Sequence, residues 1–436
     1  MQFSSLLWSI PFFGIIISVS ILPLLCQDFW HRNARNVIAG WLLLYLIAIG
    51  YVFGPWKIFE AVFEPITAHY VPFFVLIFSL YVVSGGIFVD FPRGYGPLFN
   101  VCFLFFSGII AGWIGTTGAA TLLIRPFLRA NAERKYQSHL VVFFIFIVAN
   151  IGGVATPLGD PPLFIGFLEG VDFFWFLKNL YPFLLGTLLL LCFIFFTIDY
   201  ILFKKFPSEH VPRKDAPYFV INGSRNLLLV AVILVITIYC NFDGTFMLCE
   251  EKFHYDSMVR NILLLAVAFI SLKITPATLR KKNHFFFGPV VEVGEFFAGI
   301  FITVTPIIFM LHRGVTGEFG PIFDWMSAGD QFIASRCFWA SGILSSILDN
   351  APTFLIFFHM LSGKAMELMT VKSHLLMAIS IATVFMGALT YIGNAPNLMV
   401  RSISVYYGVR PPSFMMYMLW SSVILLPVFF VISCLL

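Results

Sequence analysis

Residues 155–162 read Ala155-Thr156-Pro157-Leu158-Gly159-Asp160-Pro161-Pro162, and residues 390–397 read Thr390-Tyr391-Ile392-Gly393-Asn394-Ala395-Pro396-Asn397. Each stretch interrupts an apolar segment long enough to cross a bilayer. Proline removes a backbone donor and clashes with the preceding helical turn, while glycine adopts backbone angles that other residues avoid. We therefore predict two broken helices, with the breaks at Pro157, Gly159, Pro161, Pro162, Gly393 and Pro396.

The composition of the whole chain indicates which solvent surrounds these segments. Of the 436 residues, 60% are hydrophobic and 11% are charged, whereas soluble proteins carry about a quarter charged residues. A water-soluble enzyme and a nucleic-acid-binding protein are therefore excluded. The composition predicts an all-α polytopic membrane protein that has the lipid bilayer as its partner.

Apolar segments of about 20 residues cross the hydrocarbon core as helices. Two further stretches, 98–128 and 331–362, are interrupted midway by small and polar residues. The predicted spans are 6–25, 36–54, 70–89, 139–169, 177–202, 227–241, 259–274, 294–312, 374–406 and 414–434.

The charges of the loops predict the orientation of these spans. Loops 125–135, 203–226 and 273–282 are basic, so the positive-inside rule assigns them to the cytoplasm. Loops 242–258 and 318–330 are acidic and are assigned to the outside. Stretches 98–128 and 331–362 then begin and end on one side, so we predict two re-entrant hairpins. About ten crossings remain, in a bacterial cytoplasmic membrane, with both termini outside.

Three short matches relate the two halves of the chain. Residues 117–121 align with 349–353 at an offset of 232, residues 138–140 with 373–375 at 235, and residues 159–162 with 393–396 at 234. Because the equivalent spans have opposite predicted orientations, we expect inverted repeats at 1–202 and 227–436, joined by a cytoplasmic linker at 203–226. Inverted repeats with broken helices are typical of secondary transporters.

Two carboxylates, Asp160 and Asp349, lie deep in apolar sequence. A charge at membrane depth costs at least about 2.5–3.5 kcal/mol. Each residue could simply cap a helix, but Asn or Ser would cap without a buried charge. We therefore predict an ion- or proton-binding site, with Na⁺ at Asp160 and Asp349.

Neutral oxygen-bearing side chains are expected around this pair, since such groups suit a hard cation. By contrast, Asp199, Glu292 and Glu295 are interpreted as interfacial. No phosphate loop, catalytic triad or cofactor motif occurs, so neither an enzyme nor a cofactor is predicted. The expected neighbours of the pair are Thr116, Thr117, Thr121, Asn150, Thr156, Ser345, Ser346, Asn350, Thr353, Thr390, Asn394 and Asn397.

The run Ser345-Ser346-Ile347-Leu348-Asp349-Asn350-Ala351-Pro352-Thr353 resembles the SxxxDNxPT signature of NhaD-type sodium/proton antiporters. These belong to the ion transporter superfamily, with arsenite, citrate and dicarboxylate/sodium transporters. The resemblance implies a scaffold domain that forms a homodimer, a transport domain that carries the hairpins, and elevator-like alternating access. The dicarboxylate members carry Ser-Asn-Thr at both hairpin tips, whereas this chain has Asp349-Asn350-Ala351 at one, and an acidic tip disfavours an anionic substrate.

The leading hypothesis is therefore Na⁺ (or Li⁺)/H⁺ antiport, in which cation and proton compete for Asp160 and Asp349. One alternative is transport of citrate, a dicarboxylate or arsenite, with an anion held by helix N-termini. A more distant alternative is an intramembrane aspartyl protease that uses the two carboxylates as a dyad. The expected partners are small inorganic ions and a second copy of the chain, and not nucleic acid.

Overall fold

The computed structural model describes residues 5–91, 96–206, 220–240, 245–248, 251–329 and 331–436. Over these residues the protein is almost entirely helical, which confirms the all-α polytopic membrane fold. Eight described helices are long and apolar enough to cross a membrane, and the pair Gly288–Thr303 and Thr305–Leu311, bent by 45°, could form a ninth span. The predicted span at 227–241 corresponds to the shorter apolar helix Ser224–Tyr239.

Pro97–Ile114, which we predicted as an arm of a re-entrant hairpin, is itself long and apolar enough to cross a membrane. The other helices of the first half agree with the predicted spans except at 70–89. There the helix is longer than predicted and begins at Trp56. A π-helical stretch at Pro65–Tyr70 joins two α-helices into one continuous helix. Proline lacks the N–H that the preceding turn needs, which favours such a shift in hydrogen bonding. The helices are α1 (Ile10–Leu25), α2 (Gln27–Phe53), α3 (Trp56–Glu64), α4 (Val71–Ser84), α5 (Pro97–Ile114), α6 (Thr116–Ala130), α7 (Ser138–Ile147), α8 (Pro161–Leu168) and α9 (Phe173–Lys205).

The second half repeats this plan and adds short helices at the loops. Three two-stranded antiparallel pairs join loops: β1 (Phe88–Asp90) with β2 (Val220–Asn222), β3 (Thr245–Leu248) with β4 (Glu251–His254), and β5 (Ser327–Ala328) with β6 (Gln331–Phe332). The helices are α10 (Ser224–Tyr239), α11 (Tyr255–Ile274), α12 (Ala277–Lys282), α13 (Gly288–Thr303), α14 (Thr305–Leu311), α15 (Gly320–Met326), α16 (Ala334–Ile347), α17 (Asn350–Leu361), α18 (Ala365–Met369), α19 (Ser373–Met386), α20 (Ala395–Tyr406) and α21 (Phe414–Leu435).

The helices pack in two groups, each with members from both halves of the sequence. We call α1–α4, α10, α11, α13 and α14 the panel, and α5–α9, α16, α17 and α19–α21 the bundle. The groups touch where α4 meets α6 and where α14 meets α17. This division is of the kind that the family resemblance implies for a scaffold and a transport domain.

Both broken helices are surrounded by protein. Residues Leu140 to Ala149, before the first break, have no exposed surface, and the break itself contains a 3₁₀ turn at Ile151–Ala155. The second break contains a similar turn at Gly387–Leu389. Unpaired backbone groups are tolerated at membrane depth only where protein or an aqueous cavity covers them. The bundle provides that cover.

The two breaks are equivalent residue by residue. Thr156 donates its hydroxyl hydrogen to the Gly112 carbonyl, and Thr390 does so to the Ser346 carbonyl, which gives 390 − 156 = 346 − 112 = 234. The same offset corrects our alignment of the hairpin tips. Asp349 corresponds to Gly115 rather than to Thr117, and these two residues are the N-caps of α17 and α6. The sequence match had aligned Ala119 with Ala351 and Thr121 with Thr353, which is two positions out of register.

Parts of the predicted loops lie outside the described residues. The predicted linker at 203–226 includes residues 207–219, and the acidic loop at 242–258 includes 242–244, 249 and 250. The described ends of the linker are the last turn of α9 and strand β2.

Candidate functional site

Four helices begin at the point where the breaks meet the hairpin tips. They are joined by the backbone hydrogen bond from Thr116 N to the Gly159 carbonyl, 2.8 Å, and by the side-chain contacts described below. A helix N-terminus carries about half a positive charge, so the four ends together offset the two negative charges. The helices are α6, α8, α17 and α20, and their N-caps are Gly115, Asp160, Asp349 and Asn394.

Asp160 is held by neutral donors from three of these elements. Thr116 Oγ1 donates to Asp160 Oδ1 over 2.7 Å, and Asn350 Nδ2 donates to Asp160 Oδ2 over 2.7 Å. Asn394 Nδ2 adds a longer contact to Oδ1, 3.4 Å. The side chain is 2% exposed. Both oxygens are thus engaged, and these donors stabilise the negative charge that burial opposes.

A second set of amides fixes these donors in place. Ser345 donates to Asn350 Oδ1 over 2.8 Å, which turns the Asn350 nitrogen toward Asp160. Asn394 Nδ2 also reaches Asn150 Oδ1 at 3.2 Å, and Asn150 Nδ2 donates to Asn397 Oδ1 over 2.7 Å. Asn397 Nδ2 in turn bonds the Gly387 and Thr390 carbonyls. The network crosses repeatedly between the two halves of the chain.

Asp349 has a different environment. Its Oδ1 accepts one weak hydrogen bond, from Ala351 N at 3.3 Å, in the manner of a helix cap. The residue is half-buried and lines a cavity. Of the two predicted carboxylates, Asp349 is therefore the more accessible from the cavity.

Several of the predicted hydroxyl ligands bond backbone carbonyls instead. Thr353 donates to the Asp349 carbonyl over 3.0 Å, and Thr121 donates to the Thr117 carbonyl over 2.8 Å. Ser346, Thr156 and Thr390 likewise donate to carbonyls. Within one helix this is a common arrangement for Ser and Thr, whereas Thr156 and Thr390 bond carbonyls of a neighbouring helix. Thr117 itself lines the cavity.

The cavity lies between the panel and the bundle and has a volume of about 470 Å³. Its wall includes Asp160, Asp349, Glu292 and Glu295. No Lys, Arg or His side chain lines it among the described residues. Arg35 bonds Glu295 from outside the lining, over 2.7 Å from Nε to Oε1. Acidic side chains therefore outnumber basic ones in the lining, and one of them, Glu295, is paired with Arg35.

The two glutamates were not part of the predicted site. We interpreted Glu292 and Glu295 as interfacial, and they stand on α13 and line the same cavity as Asp349. Their sequence signal, two acids one turn apart at the start of an apolar helix, does not distinguish an interface from a cavity mouth. Only the approach of the panel to the bundle places them there.

Asp199, the third acid that we interpreted as interfacial, has a different environment from the two glutamates. It is fully buried within the bundle, where Asn100 Nδ2 donates to it over 2.9 Å and His139 Nε2 lies 3.0 Å away. It forms an ion pair with Arg134 as well. This cluster does not line the cavity, so it belongs to the packing of the bundle.

Known families and curated proteins offer a comparison for the sequence of this chain. None of the curated proteins matches the sequence closely enough to count as a relative. One protein family matches it from end to end, over residues 1–436, and that family is described as putative citrate transport. The match agrees with a bundle of broken helices around a buried polar site, and the chain belongs to this putative citrate transport family of membrane transporters.

Proposed function

We propose that the protein is a cation-coupled secondary transporter in which Asp349 and Asp160 bind the coupling ion. The observation that carries this proposal is the cavity, which is lined by four carboxylates and by no Lys, Arg or His among the described residues. Opposite charges 4 Å apart attract by about 4 kcal/mol at the effective dielectric of a protein surface. Such a wall therefore concentrates cations and repels free anions.

In this proposal the two carboxylates have different roles. Asp349 faces the cavity with one weak backbone donor, so it has oxygen lone pairs available for Na⁺, Li⁺ or a proton. Asp160 is already held by Thr116, Asn350 and Asn394, so it adds fixed negative charge behind Asp349. A cation and a proton that compete for Asp349 would couple the two fluxes without any covalent step.

The first candidate for the transported species is Na⁺ or Li⁺ in exchange for H⁺. The carboxylates of the wall already supply the counter-charge of a cation. Carboxylate, amide and hydroxyl oxygens are also its preferred ligands. The side chains of Asn394 and Thr117 line the cavity and carry an amide oxygen and a hydroxyl oxygen, respectively.

The second candidate is citrate or a related carboxylate, which the family description supports. The N-terminus of α6 favours it too, because its N-cap is Gly115, which has no carboxylate, and Thr117 and Gly118 line the cavity. Backbone N–H groups at a helix N-terminus hold anions well. In a wall this negative, however, a carboxylate substrate would have to arrive with bound cations or protons that cancel most of its charge.

The test is transport by the purified full-length chain in proteoliposomes. Dissipation of a pH gradient would be followed on addition of Na⁺, Li⁺ or K⁺, and labelled citrate uptake would be measured with each cation and without. Exchange that responds to Na⁺ or Li⁺ alone supports the antiport. Citrate uptake that requires a cation or a proton gradient supports the second candidate. Citrate uptake that is independent of every cation and of pH would refute a coupling role for Asp349.

A further inference from the structure

A second group of titratable side chains lies where the panel meets the bundle, away from the cavity. Glu169 Oε1 is 3.7 Å from His69 Nδ1 and 3.8 Å from His359 Nε2. Glu169 and His359 are 14% and 12% exposed, respectively. The rings of His359 and His312 are 5.6 Å apart. We call Glu169, His69, His312 and His359 the histidine cluster, and none of its members lines the cavity.

The histidine cluster joins the two groups of helices. His69 precedes α4, and His312 follows α14, both in the panel. Glu169 follows α8, and His359 stands on α17, both in the bundle. The contact between Glu169 and His69 therefore bridges the panel and the bundle.

The same helices connect this cluster to the candidate ion site. The N-caps of α8 and α17 are Asp160 and Asp349, and Glu169 and His359 come nine and ten residues later. At 1.5 Å per residue the cluster lies about 14 Å along these helices from the carboxylates. The cavity occupies one end of the contact between panel and bundle, and the histidine cluster occupies the other.

The histidines also influence one another. A methyl group on Gly363 would lie 2.8 Å from His359 Nδ1 and 3.4 Å from His312 Nε2, so both rings converge on this glycine. His359 Nδ1 is buried and has no hydrogen-bond partner among the described residues. Burial and the proximity of His359 lower the pKa of His312. Two protonated rings at this distance would repel each other.

The carboxylate of Glu169 stays available as the partner of His359 and His69. Burial alone would raise the pKa of Glu169, but the facing His359 and His69 hold that pKa below its ordinary value. The other charged groups nearby have partners or lie beside the cluster: Arg313 pairs with Glu318, Asp172 caps α9 at Trp175 N, and Arg260 lies over the ring of Phe167.

We propose that the histidine cluster is a proton-binding latch, separate from the ion site, that closes the end of the transporter opposite the cavity. Protonation of His69 turns its weak polar contact with Glu169 into an ion pair that holds the panel against the bundle, whereas the contact of His359 with Glu169 lies within the bundle. Imidazoles titrate between about pH 5 and 8, so acidification on this face strengthens the latch and a rise in pH releases it. The inference rests on the alternating access of the proposed function but on no particular substrate.

The test measures the conformation directly and needs no transported substrate. Spin labels are placed by Trp56→Cys and Met366→Cys, at positions that are 88% and 71% exposed in α3 of the panel and in α18 beside α17. Every native cysteine except the buried Cys192 and Cys337 is replaced by Ser. Pulsed electron–electron distances are then recorded in nanodiscs at about pH 8 and about pH 5.5. We expect the population with the short distance to increase at least about threefold at the lower pH.

Two variants and a matched control assign this shift. Glu169→Gln removes the acceptor charge, and His69→Gln removes the more exposed histidine with little risk to folding, since its side chain is 38% exposed. Both should abolish the shift, whereas Glu318→Gln, which removes an acid paired with Arg313 next to His312, should preserve it. A distance distribution independent of pH in the reference protein would overturn the proposal. So would a full shift in Glu169→Gln or His69→Gln. Loss of transport with an intact shift would count against the proposed function alone.

Discussion

Asn350 Nδ2 donates to Asp160 Oδ2 over 2.7 Å, and this contact joins the second hairpin to the first broken helix across 190 residues of sequence. The positions are related by the internal repeat, because Thr116, which corresponds to Asn350 at the offset of 234, donates to the other oxygen of the same carboxylate. Asp160 is therefore held symmetrically by both hairpins. Asp160 lies where the two halves of the chain meet, so a movement of either hairpin changes its hydrogen bonds.

Replacing Asn350 tests this junction. In Asn350→Ala, Asp160 loses one of its two short donors in a fully buried setting. A buried charged acceptor left without a partner costs about 1–3 kcal/mol or more. We expect a lower unfolding temperature in detergent and at least a tenfold loss of transport, measured in proteoliposomes at matched protein content.

Thr353→Val provides the control for this experiment. It lies one turn further along the same helix, and its hydroxyl donates to the Asp349 carbonyl over 3.0 Å. Although the sequence predicted Thr353 as a ligand, its replacement should leave transport within about twofold. A loss as large as that of Asn350→Ala would show that the hydroxyl contributes to the site directly.

Asp349→Asn separates binding from folding. Asn caps a helix about as well as Asp, so the stability of α17 should change little. The charge that faces the cavity is lost, and interactions with charged groups are worth about 1.5–3 kcal/mol, a ten- to hundredfold effect. We expect coupled transport to fall by at least this factor while yield and unfolding temperature stay close to those of the parent. Full coupling in this variant would remove Asp349 from the mechanism.

The close approach at the breaks gives a test of the repeat itself. A Cβ on Gly159 would lie 2.2 Å from the Gly153 carbonyl oxygen, and a Cβ on Gly393 would lie 2.6 Å from the Gly387 oxygen. Backbone cannot move aside as a side chain can, and overpacking costs about 1–3 kcal/mol or more. Gly159→Ala and Gly393→Ala should both reduce the folded yield, and Gly159→Ala more severely.

Gly186→Ala is the matched control, because nothing lies within 4 Å of a Cβ at that position in α9. Alanine is favoured over glycine in a helix by about 1 kcal/mol, so this variant should be neutral or slightly stabilised in a thermal unfolding assay. Equal losses in all three variants would indicate a general intolerance rather than the specific contacts at the breaks.

The fold was largely predictable because its signals are local. Apolar length predicts the spans, and Pro157 and Gly159 have the same effect on a helix wherever it packs. Loop charges and the repeat then favour hairpins over crossings. The register of the hairpin tips was wrong by two residues because residue identity, and not backbone position, decided the match of 117–121 with 349–353.

The site was predictable only as a set of residue types. Asp160, Asn350 and Asn394 come together as expected, but sequence cannot tell a hydroxyl that faces a cavity from one that bonds a carbonyl one turn away, as Thr353 does. The cavity wall on α13 and the histidine cluster arise from the contact between panel and bundle. Such contacts join residues far apart in sequence, 100 positions for His69 and Glu169, and leave no local pattern.

Asp199 offers the sharpest test of whether a buried charge is structural. It has no exposed surface, and the side chains of Arg134 and His139 are 8% and 2% exposed. Removing one partner of a buried ion pair costs about 3–5 kcal/mol because the other charge stays buried alone. Asp199→Asn should therefore lower the folded yield strongly. Adding Arg134→Met should recover part of the folded yield, since the uncompensated guanidinium is then gone.

In the fraction of Asp199→Asn that folds, the apparent affinity for the coupling cation should match that of the parent, because neither Asp199 nor Arg134 lines the cavity. A changed cation affinity with normal stability would instead place Asp199 on the ion pathway.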